Sequence, residues 1–407
     1  MANQPLTVAI VGAGIHACVV AVRLLSEWPS LRGSLRLIDP SGSCLADWSR
    51  RTWGQGMATM RSPGAHHLDV APLSLLQYAQ RHRREDELLS PYHRPSLQLF
   101  MDHSRWVIGK FRLEELVTPT MVAAVEPVPD GYRLTCSDGI TVCAQSLILA
   151  PGMVGQEQYP TWTRPLADAH PAVVSHVEHL DIRQEEVLGQ QVLIVGGGLS
   201  AATLAVAAIS RGAKVILISR HRLEARLFDA DPGWVGPKYL RFFQREPNLE
   251  ARLRMIQRAR GRGSVTPELL KRLRRHQAEG RLQIYEEEEV IEARRDDRGG
   301  AAAVKFRHAG GEERRVHRAW CCTGCEPRLD TLHWLGQLSQ VPARQGRPIV
   351  GPTLELHPGC FVTGWLAELQ VGPAARNISG ARHAAGLIAD ALRPRLASVG
   401  RLAGEAA

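Results

Sequence analysis

The chain has 407 residues, 44% of them apolar and 22% charged, with a formal net charge of +9. This composition excludes a disordered chain and leaves room for two domains with full cores. No run reaches the roughly 18 apolar residues of a membrane span, and eight scattered cysteines do not make a disulfide scaffold.

The first informative stretch is Leu6-Thr-Val-Ala-Ile-Val-Gly-Ala-Gly-Ile-His-Ala17. It reads as a strand, a tight turn and the start of a helix. Gly12 permits the turn, Gly14 lets the backbone approach a pyrophosphate, and Ala17 lets helix and strand pack closely. The helix start adds free N–H groups and the positive end of the helix dipole. A second strand, Ser34-Leu-Arg-Leu-Ile38, ends in Asp39, whose carboxylate suits a ribose hydroxyl.

Residues 49–63 have no clean period and many small residues. In a flavin-binding domain this is where the ring would be reached, which makes Met60 and Arg61 candidates to lie against it; an ordinary surface loop is the alternative. His66, His67 and Asp69 superficially suggest a metal site, but adjacent histidines point apart and no second pair has ligand spacing, so no metal is assigned. Helical spacing follows over 74–83 and 97–111. Gly131 to Cys136, the turn Ser137-Asp-Gly139 and Ile140 to Ala150 predict a hairpin closing on Ala150-Pro-Gly152. Residues 153 to about 190 read as a linker whose His170, His176 and His179 are solvated.

The opening device then recurs. Gln191-Val-Leu-Ile-Val-Gly-Gly-Gly-Leu-Ser-Ala201 repeats strand, glycine turn and helix, with Gly196, Gly198 and Ala201 placed as Gly12, Gly14 and Ala17 are and Ser200 in the first helical turn. Two copies point strongly to dinucleotide binding. After the next strand, Lys214 to Ile218, the position of Asp39 is taken by Ser219, followed by Arg220-His-Arg222. A carboxylate would repel a 2′-phosphate, whereas a hydroxyl with Arg220 and Arg222 would bind it, so NADPH is favoured over NADH.

Phe228 to Tyr239 is too rich in Pro, Gly and aromatics to be regular and suits a loop over a nicotinamide. Leu249 to Leu282 reads as an arginine-rich solvated helical stretch, and Glu286 to Glu289 as a solvated strand end. A second hairpin is predicted from 303–307 and 315–324, so the two halves match in layout. Gly359 to Trp365, including Gly364, and then 372–382 read as strand, loop and helix returning to the first domain on the flavin side. The expectation is an α/β protein of two Rossmann-like dinucleotide-binding domains, each with an inserted antiparallel β-hairpin. Residues 1–165 and 321–407 form the FAD-binding domain and 166–320 the NADPH-binding domain.

On these residues the chain resembles the flavoproteins with two dinucleotide-binding domains. Within them it is most similar to NADPH-dependent lysine and ornithine N-hydroxylase-type monooxygenases. The likeness rests on Gly12-Ala-Gly14, Gly196-Gly-Gly-Leu-Ser-Ala201, Met60-Arg-Ser62 and the strand end Cys322-Thr-Gly324. Two departures stand out: Cys325-Glu-Pro replaces the usual aromatic residue after that glycine, and the 228–239 loop has Lys238 but no asparagine. The resemblance implies FAD and NADPH as cofactors, with O2 and a small nucleophilic substrate, most naturally an amine, oxygenated through a flavin C4a-hydroperoxide. The scattered free thiols fit a reducing cytoplasm, no nucleic-acid motif accompanies the positive charge, no membrane span is expected, and a homo-oligomer is compatible with the sequence. A flavoprotein reductase without oxygen transfer, using Cys322 and Cys325, is the alternative; a nucleotide-binding protein without turnover is the second.

Overall fold

The computed structural model describes residues 5–296, 303–311 and 313–404. The opening strand β1 (Leu6–Val11) is apolar almost throughout and buried on both faces, as a central parallel strand must be. It breaks at Gly12, and α1 (Ile15–Glu27) follows with its apolar side packed on the sheet. β2 (Leu35–Ile38) then runs parallel to β1. Fully buried Ile10, Leu37 and Ile148 each contribute roughly 1.5–3 kcal/mol from apolar burial.

Next come α2 (Ala46–Gly54), α3 (Ser74–Arg81), a small ladder of β3 (Leu88–Leu89) and β4 (Arg94–Pro95), and α4 (Leu97–Lys110). Ser96 caps α4 by accepting the Leu99 N–H at 2.9 Å. β5 (Val117–Thr118) returns beside β2. A meander follows of β6 (Val122–Val128), β7 (Gly131–Cys136) and β8 (Thr141–Leu149). The first half of β8 pairs antiparallel with β7, and most of the strand runs parallel to β1. The insert therefore has three strands, one more than the hairpin read from the sequence.

The 153–190 segment is more than a solvated linker. It holds α5 (Arg164–Ala169) and β9 (Val174–His176), which is an outer strand of the second sheet. His176 is fully buried there, and burial pushes its imidazole below the usual histidine range. β10 (Gln191–Val195), α6 (Leu199–Ser210) and β11 (Lys214–Ser219) then repeat the opening unit.

The arginine-rich stretch is not one helix. After α7 (Pro237–Arg245), which is part of the segment expected to be irregular, α8 (Leu249–Arg260) ends at Gly261, and α9 starts only at Pro267 (Pro267–Ala278). Gly261 and Gly263 both have positive φ, which stops the helix between them. β12 (Leu282–Glu286) joins β11. β13 (Val290–Asp296), β14 (Ala303–His308) and β15 (Arg314–Val316) form a separate antiparallel sheet, and β16 (Arg318–Cys321) enters the parallel sheet beside β10. Residues 315–324 are therefore not one hairpin strand but are divided between two sheets at His317. The run Glu286–Glu289 is partly engaged: Glu286 accepts the Leu223 N–H, and Glu288 meets His308.

The chain then returns through the ladder of β17 (Ala343–Arg344) and β18 (Arg347–Pro348) to β19 (Glu355–His357) and β20 (Cys360–Val362). β20 lies parallel to β8 in the first sheet. After α10 (Glu368–Val371), α11 (Ile378–Gly404) packs on α1 through Ala381, Ala384, Ala385, Ile388 and Leu392, a spacing that gives one apolar stripe. The parallel cores run β20-β8-β1-β2-β5 and β12-β11-β10-β16-β9. Among the described residues no helix is long and apolar enough to cross a membrane.

Candidate dinucleotide sites

At the first turn Gly12 has φ +107°, and a Cβ there would lie 2.4 Å from the carbonyl oxygen of Ala150. Its N–H donates to Ile38 O at 2.8 Å, so one residue ties together the ends of three strands. Gly14 caps α1 in extended conformation, and nothing lies within 4 Å of where its Cβ would be. The free N–H groups of the first helical turn thus open onto a cradle that a side chain would fill, the arrangement a pyrophosphate needs. Ala17 is fully buried under the strand. The Asp39 carboxylate accepts the N–H of Ala13 at 2.8 Å and of Ser41 at 2.9 Å, which holds it beside the turn.

The return segment closes this site. Gly364 has φ +69°, and a Cβ on it would lie 3.8 Å from the His16 ring. His16 Nδ1 is 2.9 Å from Thr363 Oγ1, and Trp365 donates its indole N–H to Gly152 O at 2.6 Å. Burial pushes the His16 imidazole down to about 4, so it is neutral at physiological pH. His16, Thr363 and Trp365 carry no motif that marks them in the sequence. Only the fold brings them together.

The second turn repeats the first. Gly196 has φ +144°, and its Cβ would lie 2.4 Å from Cys322 O; its N–H donates to Ile218 O at 2.9 Å. Gly198 caps α6, Ser200 is partly buried in the first turn, and Ala201 is buried. Gly263, from the loop after α8, packs against Gly198. Ser219 is buried and donates its hydroxyl to His221 O at 2.7 Å. Arg220 is exposed and makes no ion pair among the described residues, whereas Arg222 reaches Glu287 at 3.0 Å. Of the two guanidinium groups, Arg220 is the one left for a 2′-phosphate.

Met60 and Arg61 belong to the segment at the joint between the two halves. Met60 is buried in the first core, with its N–H donated to Pro95 O. The Arg61 guanidinium crosses into the second domain. There it donates to the carbonyls of Arg226, Leu227, Phe228 and Ser264, to the Ser264 hydroxyl, and to Asp229 at 2.6 Å. Its donor fork is spent on two segments of that domain, 226–229 and Ser264, a use that Arg serves and Lys cannot. Arg51 to Glu178 and Arg94 to Glu268, both at 2.7 Å, add two further ties across the joint. Their partners are too distant in the chain for any local motif to announce them.

Cys322 and Cys325 are half-buried free thiols. Burial raises the Cys322 thiol well above its ordinary range and pushes Cys325 to about 12, with Glu178 adding to both. Neither is a thiolate at neutral pH, the form that would attack a disulfide. Among the described residues no group of three His, Cys, Asp or Glu side chains is placed to hold a metal.

This architecture, two nucleotide-type sheets with paired glycine turns, is that of Rossmann-like FAD/NAD(P)-binding domains. Residues 9–154 match the family described as FAD-NAD(P)-binding, and residues 86–260 match the pyridine nucleotide-disulphide oxidoreductase family. FAD and a nicotinamide dinucleotide are the cofactors of this fold, and the residues of both turns fit them. The chain is similar to the ornithine hydroxylase of Pseudomonas aeruginosa, with a TM-score of 0.76 at 20% identity over 96% of this chain and 100% of that one. It is similar to the L-lysine 6-monooxygenase of Pseudomonas syringae, with a TM-score of 0.73 at 17% identity over 96% and 99%. The bacillithiol disulfide reductase of Staphylococcus aureus shares the fold too, at TM-score 0.65, 16% identity, and 96% and 99% coverage. No curated protein matches the chain in sequence.

Proposed function

We propose that this chain is an FAD-dependent, NADPH-consuming monooxygenase that passes one oxygen atom from O2 to a small nucleophilic substrate, an amine being favoured. Bound FAD, once reduced, supplies the oxygen chemistry. The chain supplies binding and orientation. The α1 start takes the flavin pyrophosphate, and Asp39 takes its ribose. The α6 start takes the nicotinamide cofactor's pyrophosphate, with Ser200 beside it, and Arg220 meets the 2′-phosphate. Gly364 and the neutral His16 line the flavin side of the return segment.

The observation that carries this reading is the pair of glycine turns at the starts of α1 and α6, one followed by Asp39 and the other by Ser219 and Arg220, while burial holds the Cys322 and Cys325 thiols protonated. The likeness to ornithine and lysine hydroxylases supports the same choice over the disulfide reductases that share the fold. The test is turnover of FAD-loaded protein with NADPH, a panel of amines and 18O2. One labelled oxygen in a hydroxylamine product is the expected result. NADPH oxidation with only peroxide or water formed from O2, across the whole panel, would turn the assignment toward the reductase.

A further inference from the structure

A cavity of about 340 Å3 lies in the joint between the two halves, apart from the open face of either glycine turn. One wall is the 56–61 segment with Arg94; the other is the side of α6 from Leu199 to Arg211, together with the start of α9. It meets the second nucleotide turn only at Leu199 and runs from there toward the far end of α6. Its size is in the range that holds a small organic ligand.

The lining mixes apolar side chains, charge and the four hydroxyls of Thr59, Thr203, Ser210 and Thr266. Met57, Val206, Ala207 and Leu269 make an apolar surface. Against it stand Arg94, Arg211 and Arg272 and a single carboxylate, Glu268, while the Arg61 guanidinium is spent on Asp229 and the loop carbonyls of the second domain. That carboxylate is taken by Arg94 Nη1 at 2.7 Å. The Arg94 side chain is only 3% exposed, and its buried Nε–H has no partner among the described residues. A buried guanidinium donor without a partner is costly. Arg211 donates to neutral carbonyls, Arg272 makes no ion pair among the described residues, and both side chains are exposed, so no carboxylate among the described residues balances them.

We propose that this joint binds a small organic carboxylate, its apolar body along α6 and Leu269 and its carboxylate on Arg94 and Arg272. The site needs no assumption about the redox reaction.

The probe is 4-phenylbutyrate, titrated calorimetrically into FAD-loaded full-length protein, with 4-phenylbutanol and 4-phenylbutylamine as matched bodies bearing other heads. One carboxylate should bind per chain, about tenfold tighter than the alcohol, with the amine weakest. Saturating NADP+ should leave that binding in place. Val206→Trp, which fills the apolar half, should remove it while flavin content and NADP+ affinity hold. Arg94→Met should bring carboxylate and alcohol to equal affinity; if that variant does not fold, Arg272→Met on the surface should narrow the gap severalfold. Equal affinity of the three heads in the native protein, survival of binding in Val206→Trp, or displacement by NADP+ would each overturn the proposal.

Discussion

The two glycine turns are built to one plan and finished differently. Gly12 and Gly196 both sit at positive φ with a carbonyl 2.4 Å from the place of a Cβ. Both donate their N–H to the end of the next strand. Beyond the turns they diverge. The first faces open space at Gly14 and ends its second strand in Asp39. The second has Gly263 packed against Gly198 and ends its second strand in Ser219, whose hydroxyl is already spent. In the first half one strand, β8, serves both the meander and the parallel sheet. In the second half the two tasks are divided at His317, whose ring accepts the Gln191 N–H at 3.0 Å. Strand–turn–helix geometry is thus common to both turns, and they differ in the residue that closes the second strand and in what covers the turn.

The sharpest way to break the comparison is to add one methyl group to each turn. Gly12→Ala should abolish flavin uptake, because strain and the clash with Ala150 O together weaken it about a hundredfold or more. Absorbance of the purified protein reads this directly. Gly196→Ala should leave the protein yellow and weaken NADPH by a similar factor in a binding titration. If both variants lost flavin equally, the two turns would not be separate sites.

Arg61 tests how far the halves depend on each other. Arg61→Met leaves four carbonyls and Asp229 without their donor and should cost about 3 kcal/mol in urea unfolding. Arg61→Lys should recover only part of this, since an ammonium cannot serve the same fork. Acid should separate the halves as well. Burial pushes His16 and His67 down to about 4 and His103 to about 3, and all three lie in the first domain. A folded-state value below the unfolded value near 6.5 means that the unfolded chain binds protons first. The stability these groups confer is complete above about pH 6.5 and is lost as pH falls toward 4. The urea midpoint should drop across that window, and His67→Gln should flatten the fall.

Much of this was legible in the residues. The turns, Asp39 against Ser219, and the return to the first sheet follow from short-range chemistry: apolar runs, glycine, and the residue at a strand end. What was not legible depends on contacts between distant segments. Nothing around Arg61 tells that its partners are at 226–229 and 264, and nothing around His176 tells that its strand is buried at the edge of the second sheet. The Leu249–Leu282 stretch misleads for a different reason. Arginine-rich surface helices share one composition, and only the paired positive-φ glycines at 261 and 263 mark the break. The acidic run at 286–289 has the same ambiguity, since a solvated carboxylate and one that caps a neighbouring loop are written alike.

A smaller effect separates Arg220 from Arg222. Removing the unpaired Arg220 should weaken NADPH about tenfold and NADH hardly at all. Removing Arg222 should cost NADPH less than about threefold, because Glu287 already neutralises it and the pair is exposed. Equal loss of both cofactors in Arg220→Ala would remove the basis for NADPH.

The smallest effect is expected at the cysteines. Ala150 and Cys322 occupy the same slot, each just past the strand that flanks its glycine turn, each with its carbonyl over that turn, and each two residues before a glycine at positive φ, +69° and +78°. Alanine serves the first slot without a thiol, so the second slot requires smallness and backbone geometry, not sulfur chemistry. Cys322→Ala with Cys325→Ser should therefore leave steady-state NADPH turnover within about twofold of the native protein, since neither half-buried thiol is ionised at neutral pH to take part. A loss of a hundredfold or more would mean that electrons leave the flavin through this pair, and the second turn would then differ from the first in chemistry as well as in cofactor.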